Sequence, residues 1–124
     1  IDTEYVNDFE IHSEFYNIDN KDFEEILNLK TEGYEIHSVG TTVLRTLETV
    51  YLNKIYKGKT NLYITPGFKF NVCDYLITNF HAPKSTLLLI VLTIYGNKWK
   101  ELYKYAQDKN MKFLSFGDAV LFKI

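Results

Sequence analysis

A histidine and a glutamate stand two residues apart in the segment HSE, residues 12–14, where polar and apolar residues alternate. In a β-strand, residues i and i+2 lie on the same face, so His12 and Glu14 are predicted to be neighbours. An imidazole beside a carboxylate can act as an acid/base pair or can orient a substrate. A solvated polar strand face is the alternative that this tripeptide leaves open.

A second candidate group lies in NFHAPKST, residues 79–86, just before the apolar run LLLIVLTIY. Proline disfavours helical backbone at the residue before it, so we expect Ala82 to be extended and His81 to precede the helix. The positive end of the helix dipole favours neutral imidazole, the form that a general base requires. A buried structural histidine is the alternative. Donors for an anion, or caps for the helix, are Lys84, Ser85 and Thr86.

A third group is the segment VGTTVLRTLET, residues 39–49, which predicts a strand, a glycine and then a helix. Backbone N–H groups at such a junction attract carboxylate or phosphate, and Thr41 or Thr42 can cap the helix. The segment lacks the further glycines of dinucleotide-binding and P-loop motifs. Arg45 is a candidate anion ligand, although a surface ion pair between Arg45 and Glu48 is an open alternative.

The sequence favours metal and thiol chemistry less than acid/base chemistry or anion binding. A metal site built from His12, Glu14 and His81 is geometrically conceivable, but we predict no metal. Cys73 lies among apolar residues of a β segment and is predicted to be a core residue rather than a nucleophile.

The composition is that of a globular domain: 124 residues, 46% hydrophobic, with a net charge of −2. A single cysteine fits a reducing compartment, and no leader or anchor segment is visible, so we expect a cytoplasmic protein without membrane contact. The charge gives no overall basic signature for nucleic acid. Any RNA contact would therefore use local lysine patches, which solvated surface lysines could equally explain. The patches are Lys54, Lys57 and Lys59, and then Lys98, Lys100, Lys104, Lys109 and Lys112.

The elements that must position these groups alternate between strands and helices. In DFEIHSEFYNI the alternation puts Phe15 on one strand face and His12, Glu14 and Tyr16 on the other. A helix capped by Asp19 and stopped by Gly33 follows. Further strands are predicted at 34–40, 58–67 and 68–80, and the last of these is expected to bend near Asp74. A buried helix follows, then an amphipathic helix and, at the end, either two strands or one bent strand. We therefore predict one layered α/β domain over residues 1–124, with helices flanking a sheet.

Four segments in order resemble the C-terminal region of the S-adenosylmethionine:tRNA ribosyltransferase-isomerase family of queuosine biosynthesis. They are HSEFY, VGTTVLRTLET, LYITPGFKFNVCDYLITNFHAPKSTLLLIV and FLSFGDAVLF. The chain departs from the family pattern at Val43, usually Ser, at Ala82, usually Leu, and at Cys73, usually Val. The resemblance implies the last third of a two-domain enzyme, within its α/β domain, without the β-barrel domain.

The resemblance also implies a reaction. The family transfers and isomerises the ribosyl part of S-adenosylmethionine onto 7-aminomethyl-7-deazaguanine at the wobble position of tRNAs with GUN anticodons. The products are epoxyqueuosine-tRNA, adenine and methionine, so S-adenosylmethionine is consumed as a co-substrate and no metal is needed. A monomer is expected.

For this chemistry we predict His81 as the base and His12 as the second titrating group, with Glu14 orienting His12 or contacting a ribose hydroxyl. Asn79 is a candidate for hydrogen bonds to base or ribose. The methionine carboxylate or an RNA phosphate is assigned to Thr41, Thr42, Arg45, Lys84, Ser85 and Thr86. Two rivals are a non-catalytic RNA-binding or scaffold fragment of this fold and an unrelated hydrolase, the latter disfavoured because no nucleophile elbow is present.

Overall fold

The computed structural model describes residues 13–62, 64–79, 86–109 and 119–124. Within them lie five strands and four α-helices. The strands are β1 (Glu14–Asn17), β2 (His37–Val39), β3 (Lys57–Thr60), β4 (Tyr75–Asn79) and β5 (Ala119–Lys123). The helices are α1 (Asn20–Thr31), α2 (Thr41–Asn53), α3 (Thr86–Tyr95) and α4 (Trp99–Asp108), with a 3₁₀ turn at Gly96–Lys98.

The strands form two small sheets. β1 and β3 pair as an antiparallel ribbon, and β2, β4 and β5 form a mixed sheet in the order β2-β4-β5. β2 runs parallel to β4, whereas β5 runs antiparallel to it. The predicted mixture of helices and sheet is therefore confirmed, with the strands divided between two sheets.

Helix α1 begins and ends where its sequence predicts. The Asp19 side chain accepts a hydrogen bond from the backbone N–H of Lys21 at 2.8 Å, which caps the helix. Just beyond the other end, Gly33 has a φ of +102°, a backbone conformation that favours glycine. Phe23 is the fully buried residue of α1 and contacts the ring of Tyr56 edge-on.

Helix α2 differs from the prediction at its first residue. Gly40 is the N-cap, with a φ of 95°, and no side chain caps the helix, so the predicted capping by Thr41 or Thr42 is wrong. The predicted apolar stripe is confirmed, because Leu44, Leu47 and Val50 are buried. Helix α2 contacts β2, β3 and β4, and it therefore connects the two sheets.

The β1–β3 ribbon shows which side of the predicted alternation is buried. Tyr16 is 7% exposed, whereas Phe15 is 81% exposed, although both are aromatic. The Tyr16 hydroxyl donates to the backbone carbonyl of Ile55 at 2.9 Å and accepts from the Asn53 amide. Glu14 lies on the same side as Tyr16, so its carboxylate is directed towards the body of the domain.

The mixed sheet and α3 complete the core. As predicted, α3 is buried, with Leu89, Ile90, Val91 and Leu92 at most 5% exposed. The long β segment predicted at 68–80 is a strand only from Tyr75 onwards, since the backbone bends at residues 71, 72 and 74. The predicted strand at 58–67 is likewise shorter, because β3 ends at Thr60. Among the described residues, no helix has the length and apolarity to cross a membrane.

Candidate active site

The parallel pairing of β2 and β4 brings two of the predicted polar loops to one edge of the mixed sheet. Val39 is opposite Ile77, and the Gly40 N–H donates to the carbonyl of Ile77 at 2.8 Å. The first residues of α2 therefore lie beside the last residues of β4, where Asn79 ends the strand. Ligands of open α/β sheets bind at the carboxyl ends of parallel strands, which is where these loops begin.

The first turn of α2 supplies backbone donors at this edge. Thr41 is half-buried and Thr42 is exposed, and neither hydroxyl caps the helix. Because the N-terminal N–H groups of a helix lack partners within the helix, they are available to an anion. The predicted role of Thr41 and Thr42 in anion binding remains a prediction.

Arg45, in the next turn of α2, connects the helix to the β1–β3 ribbon. Its Nη1 lies 3.1 Å from Oε2 of Glu14, and its Nε donates to the carbonyl of Leu62 at 3.2 Å. The Arg45 side chain is 13% exposed. Glu14 Oε2 is shielded from solvent and makes no hydrogen bond with the described residues, so the contact to Arg45 is ionic rather than an aligned hydrogen bond. Arg45 thus fixes the Glu14 carboxylate while its own charge is compensated.

Glu48 is the feature of α2 that the sequence pattern does not predict. It is fully buried, so the alternative of a surface ion pair with Arg45 is wrong. Its carboxylate accepts hydrogen bonds from the backbone N–H groups of Asn71 and Val72, the latter at 3.0 Å to Oε2. Burial raises the pKa of Glu48, while those N–H groups, that of Cys73 and the Lys30 ammonium act in the opposite direction.

A sequence signal for Glu48 exists. Its position, one helical turn after Leu44 and next to Leu47, lies on the apolar stripe of α2 rather than on the solvent side. A carboxylate on such a stripe must find buried donors, and the bends before β4 provide them. Glu48 therefore fixes the segment that leads into β4, and β4 leads to Asn79.

Asp74 fixes the same segment from the side of α1. Its Oδ1 is 2.8 Å from Lys30 Nζ, and its Oδ2 accepts from the Ile36 N–H at 2.8 Å. Burial alone would raise the pKa of Asp74, but Lys30 and the Ile36 N–H outweigh it and the pKa is lowered. The predicted core position of Cys73 is confirmed, because it is 3% exposed and burial raises the pKa of its thiol to about 12.

A cleft of about 320 Å³ lies between β1 and the first turns of α2. Its walls include Phe15 and Asn17 from the ribbon, and Thr42, Val43 and Thr46 from the helix. Val43 is 42% exposed, so the position where the family pattern has a serine faces outwards at this cleft. The cleft volume lies within the usual range for small-molecule sites.

The structure places only part of the predicted site. It brings together Glu14 and Arg45, and it places Thr41 and Thr42 beside the end of β4. Asn79 and Thr86 are located by their backbones, at the end of β4 and the start of α3. His12, His81, Lys84 and Ser85 lie outside the described residues, and their predicted roles remain predictions. In the described part of the chain, no group of three or more histidine, cysteine, aspartate or glutamate side chains could hold a metal ion.

Comparison with known proteins decides the family. A family model described as "Queuosine biosynthesis protein" matches residues 1–122. The chain belongs to this family. A relative from Rickettsia rickettsii, named S-adenosylmethionine:tRNA ribosyltransferase-isomerase, is 48% identical over 98% of the chain. A protein of the same name from Prochlorococcus marinus is 42% identical, again over 98% of the chain.

A solved structure agrees with this membership of the queuosine biosynthesis family. The S-adenosylmethionine tRNA ribosyltransferase from Thermotoga maritima superposes with a TM-score of 0.80 and 40% identity, over 86% of this chain and 39% of that one. The chain spans about a third of the length of the curated relatives, 34% of the first and 35% of the second. The predicted resemblance is therefore confirmed, and the chain corresponds to part of these proteins.

Proposed function

We propose that this chain forms part of a cytoplasmic tRNA-modifying enzyme that transfers and isomerises the ribosyl group of S-adenosylmethionine. The acceptor is 7-aminomethyl-7-deazaguanine at the wobble position of tRNAs with GUN anticodons. The products are epoxyqueuosine-tRNA, adenine and methionine. The observation that carries the proposal is the 48% identity over 98% of the chain to a protein named for this transfer.

The geometry supports a site at the edge where β2 and β4 end. This reaction requires a base to remove a proton next to the sulfonium and an acid to assist the departure of adenine. We assign the base to His81 and the second titrating group to His12, with Glu14 orienting His12 or holding a ribose hydroxyl. The ion pair with Arg45 supports the role of Glu14, because it holds the carboxylate at a fixed position.

Anionic parts of the substrates are assigned to the helix starts. We propose that the N-terminus of α2, with Thr41 and Thr42, and the group Lys84, Ser85 and Thr86 receive the methionine carboxylate and an RNA phosphate. Asn79, at the end of β4, is assigned to hydrogen bonds with base or ribose. Arg45 contributes mainly through Glu14, since its guanidinium already contacts Glu14 and the Leu62 carbonyl.

The test is adenine release from S-adenosylmethionine, followed by mass spectrometry. It is run with tRNA that carries 7-aminomethyl-7-deazaguanine and with tRNA that lacks it, on this chain and on a form extended to the length of its relatives. Release that requires the modified tRNA supports the proposal, and comparison of the two forms shows whether 124 residues suffice. Absence of release by the extended form, with fully modified tRNA, rejects the reaction.

The role of His81 is tested with a matched histidine control. His81→Ala is expected to lower turnover by about 100-fold or more, the usual contribution of general acid–base catalysis. His37→Ala is the control, because His37 is exposed, begins β2 at the end away from the candidate site, and stacks on Tyr75 with ring centroids 4.4 Å apart. Equal turnover of His81→Ala and the parent protein would remove His81 from the mechanism.

A second candidate function is a non-catalytic RNA-binding or scaffold fragment. It keeps the fold of the family without the reaction. Such a fragment does not need S-adenosylmethionine. Calorimetric binding of S-adenosylmethionine by the chain would therefore exclude it, whereas RNA binding without such affinity would favour it.

A further inference from the structure

The outer face of the β1–β3 ribbon combines an aromatic ring with positive charge. Its members are Phe15 and Asn17 on β1 and, directly opposite them in the antiparallel register, Lys59 and Lys57 on β3. All four side chains are exposed. Of the eight residues in the two strands, the acidic one, Glu14, lies on the inner face together with Tyr16.

Phe15 stands out on this face because it is 81% exposed and has no polar atom to place in water. The Lys59 ammonium lies over its ring, 5.2 Å from the centroid, so a cation and an aromatic surface are held together on this face. Proteins that bind single-stranded nucleic acid combine these two groups, since bases stack on aromatic rings and lysines contact the phosphates between the bases.

Two grooves meet at Phe15. One has a volume of about 540 Å³ and lies between Phe15, Asn17 and Lys57 on the ribbon. The other is the 320 Å³ cleft that reaches Thr42 at the start of α2. Phe15 lines both, so a strand of RNA that stacks on its ring would lie next to the edge of the mixed sheet where the candidate site begins.

We propose that this outer face is an RNA-binding platform, on which an unpaired base stacks on Phe15 while Lys57 and Lys59 contact its flanking phosphates. The proposal deepens the proposed function and rests on it for the identity of the RNA, a tRNA anticodon loop. It also explains how a chain with a net charge of −2 can approach RNA, because the positive charge is concentrated where a base can stack.

Charge is the argument for RNA over an apolar protein partner. Burial of Phe15 against another protein surface would also bury two lysine ammonium groups, and the described residues of the two strands place no carboxylate on their face. Unpaired buried charge is strongly unfavourable. Phosphates pair with both lysines and leave the ring for a base. Lys54 does not belong to the platform, because it is the C-cap of α2 and its ammonium lies over the Tyr51 ring, 4.3 Å from the centroid.

The test measures fluorescence anisotropy of a labelled synthetic anticodon stem-loop RNA, titrated with the extended form of the protein over a series of salt concentrations. Phe15→Ala is expected to weaken binding about tenfold or more, because stacking on an aromatic ring is lost. Phe15→Tyr keeps the ring and is expected to bind like the parent. Phe15→Leu keeps apolar bulk without a π-face, and it is expected to behave like Phe15→Ala.

The lysines are tested through the salt dependence. The double variant Lys57→Gln, Lys59→Gln is expected to reduce the slope of log K against log salt by about 1.4, at about 0.7 for each phosphate contact to a single strand. The matched control is Lys98→Gln with Lys104→Gln, two exposed lysines of the other patch, which is expected to leave the slope unchanged.

Each of these measurements has an outcome that would overturn the proposal. Three results would overturn the platform. The first is RNA binding by Phe15→Leu that equals that of the parent, and the second is a salt slope that changes with the control lysines instead of Lys57 and Lys59. The third is a melting temperature several degrees lower in Phe15→Ala. The last result would mean that Phe15 is buried against protein in the extended form. Adenine release by the parent protein is scored separately. RNA binding that depends on Phe15, Lys57 and Lys59, without release of adenine, would keep the platform and reject the reaction. Release of adenine with RNA binding that does not depend on these residues would keep the reaction and reject the platform.

Discussion

The buried carboxylate of Glu48 is the feature whose removal is expected to destabilise the domain most clearly. Glu48→Gln keeps the shape but replaces one acceptor oxygen by an NH₂ group, so the remaining oxygen must accept from both the Asn71 and the Val72 N–H, the latter over the longer 3.2 Å contact. Loss of the shorter bond to Val72 costs about 1 kcal/mol. Glu48→Ala leaves both the Asn71 and Val72 N–H groups without an acceptor, about 2–6 kcal/mol, and adds a cavity.

The free energy of unfolding is measured by urea denaturation of the extended form at neutral pH. Hydrogen exchange gives a local reading, because the amides of Asn71 and Val72 should lose protection in both variants before the amides of β5 do. Glu24→Gln is the matched control, since Glu24 is exposed on α1 and its change should stay within about 0.5 kcal/mol. Unchanged stability of Glu48→Ala would refute the assignment of Glu48 as an acceptor for both amides.

The pH dependence gives an independent check on Glu48. Its pKa is raised in the folded state, so folded protein keeps a proton that unfolded protein has already lost. The contribution of this group is therefore fully present below the ordinary carboxyl pKa of 4.5 and is lost as the pH rises through the folded-state value. The stability difference between the parent and Glu48→Gln should shrink along that rise. A difference that grows instead would mean that the amide donors outweigh burial.

Three further predictions concern neighbouring residues. Asp74→Asn should lower the free energy of unfolding by about 1 kcal/mol at neutral pH, since the carboxylate is partly exposed and its ion pair is screened. Because the pKa of Asp74 is lowered, the difference in stability between the parent and the variant should close in denaturation curves as the pH falls from 3.8 through the folded-state value, and a constant difference would contradict this. Gly40→Ala should lower the free energy of unfolding by about 1–2 kcal/mol through the positive φ of this residue alone, because a Cβ there meets no atom within 4 Å. Gly58→Ala is the control in the same thermal melts: its Cβ would make ordinary contacts to Tyr16, and its loss of stability should be smaller. Cys73 should resist iodoacetamide at about pH 8 until the protein is unfolded, by mass spectrometry, because its thiol is buried and protonated; rapid labelling of folded protein would show otherwise.

The sequence predicts local structure well where short-range chemistry decides it. Asp19 and Gly33 delimit α1 because an acidic N-cap and a glycine after the last turn satisfy the helix ends locally. The buried α3 follows equally from its composition. The start of β4 does not, because Glu48, 23 residues before Asn71, determines where the bends give way to the strand.

The two faces of β1 show a limit of periodicity. Alternation predicts that Glu14 and Tyr16 share one face and Phe15 takes the other, and the structure confirms this. Which face is buried depends on the element that packs against it, and here that is decided by the Tyr16 hydroxyl, which reaches the Ile55 carbonyl. Likewise, alternation does not predict the contact between Arg45 and Glu14 that the folded chain makes, and the role of Arg45 as an anion ligand stays a prediction.

Helix α2 makes its contacts in a fixed rotational order. Arg45 reaches Glu14, Glu48 reaches the amides before β4, and Thr49 shares a hydrogen bond of 2.7 Å with Thr60 on β3. Deletion of one residue inside the helix would turn everything after it by about 100°, and the later contacts would be lost together. The family should therefore accept substitutions in α2 but not changes of its length, and insertions should instead be found where the chain turns at the surface, as at Gly67.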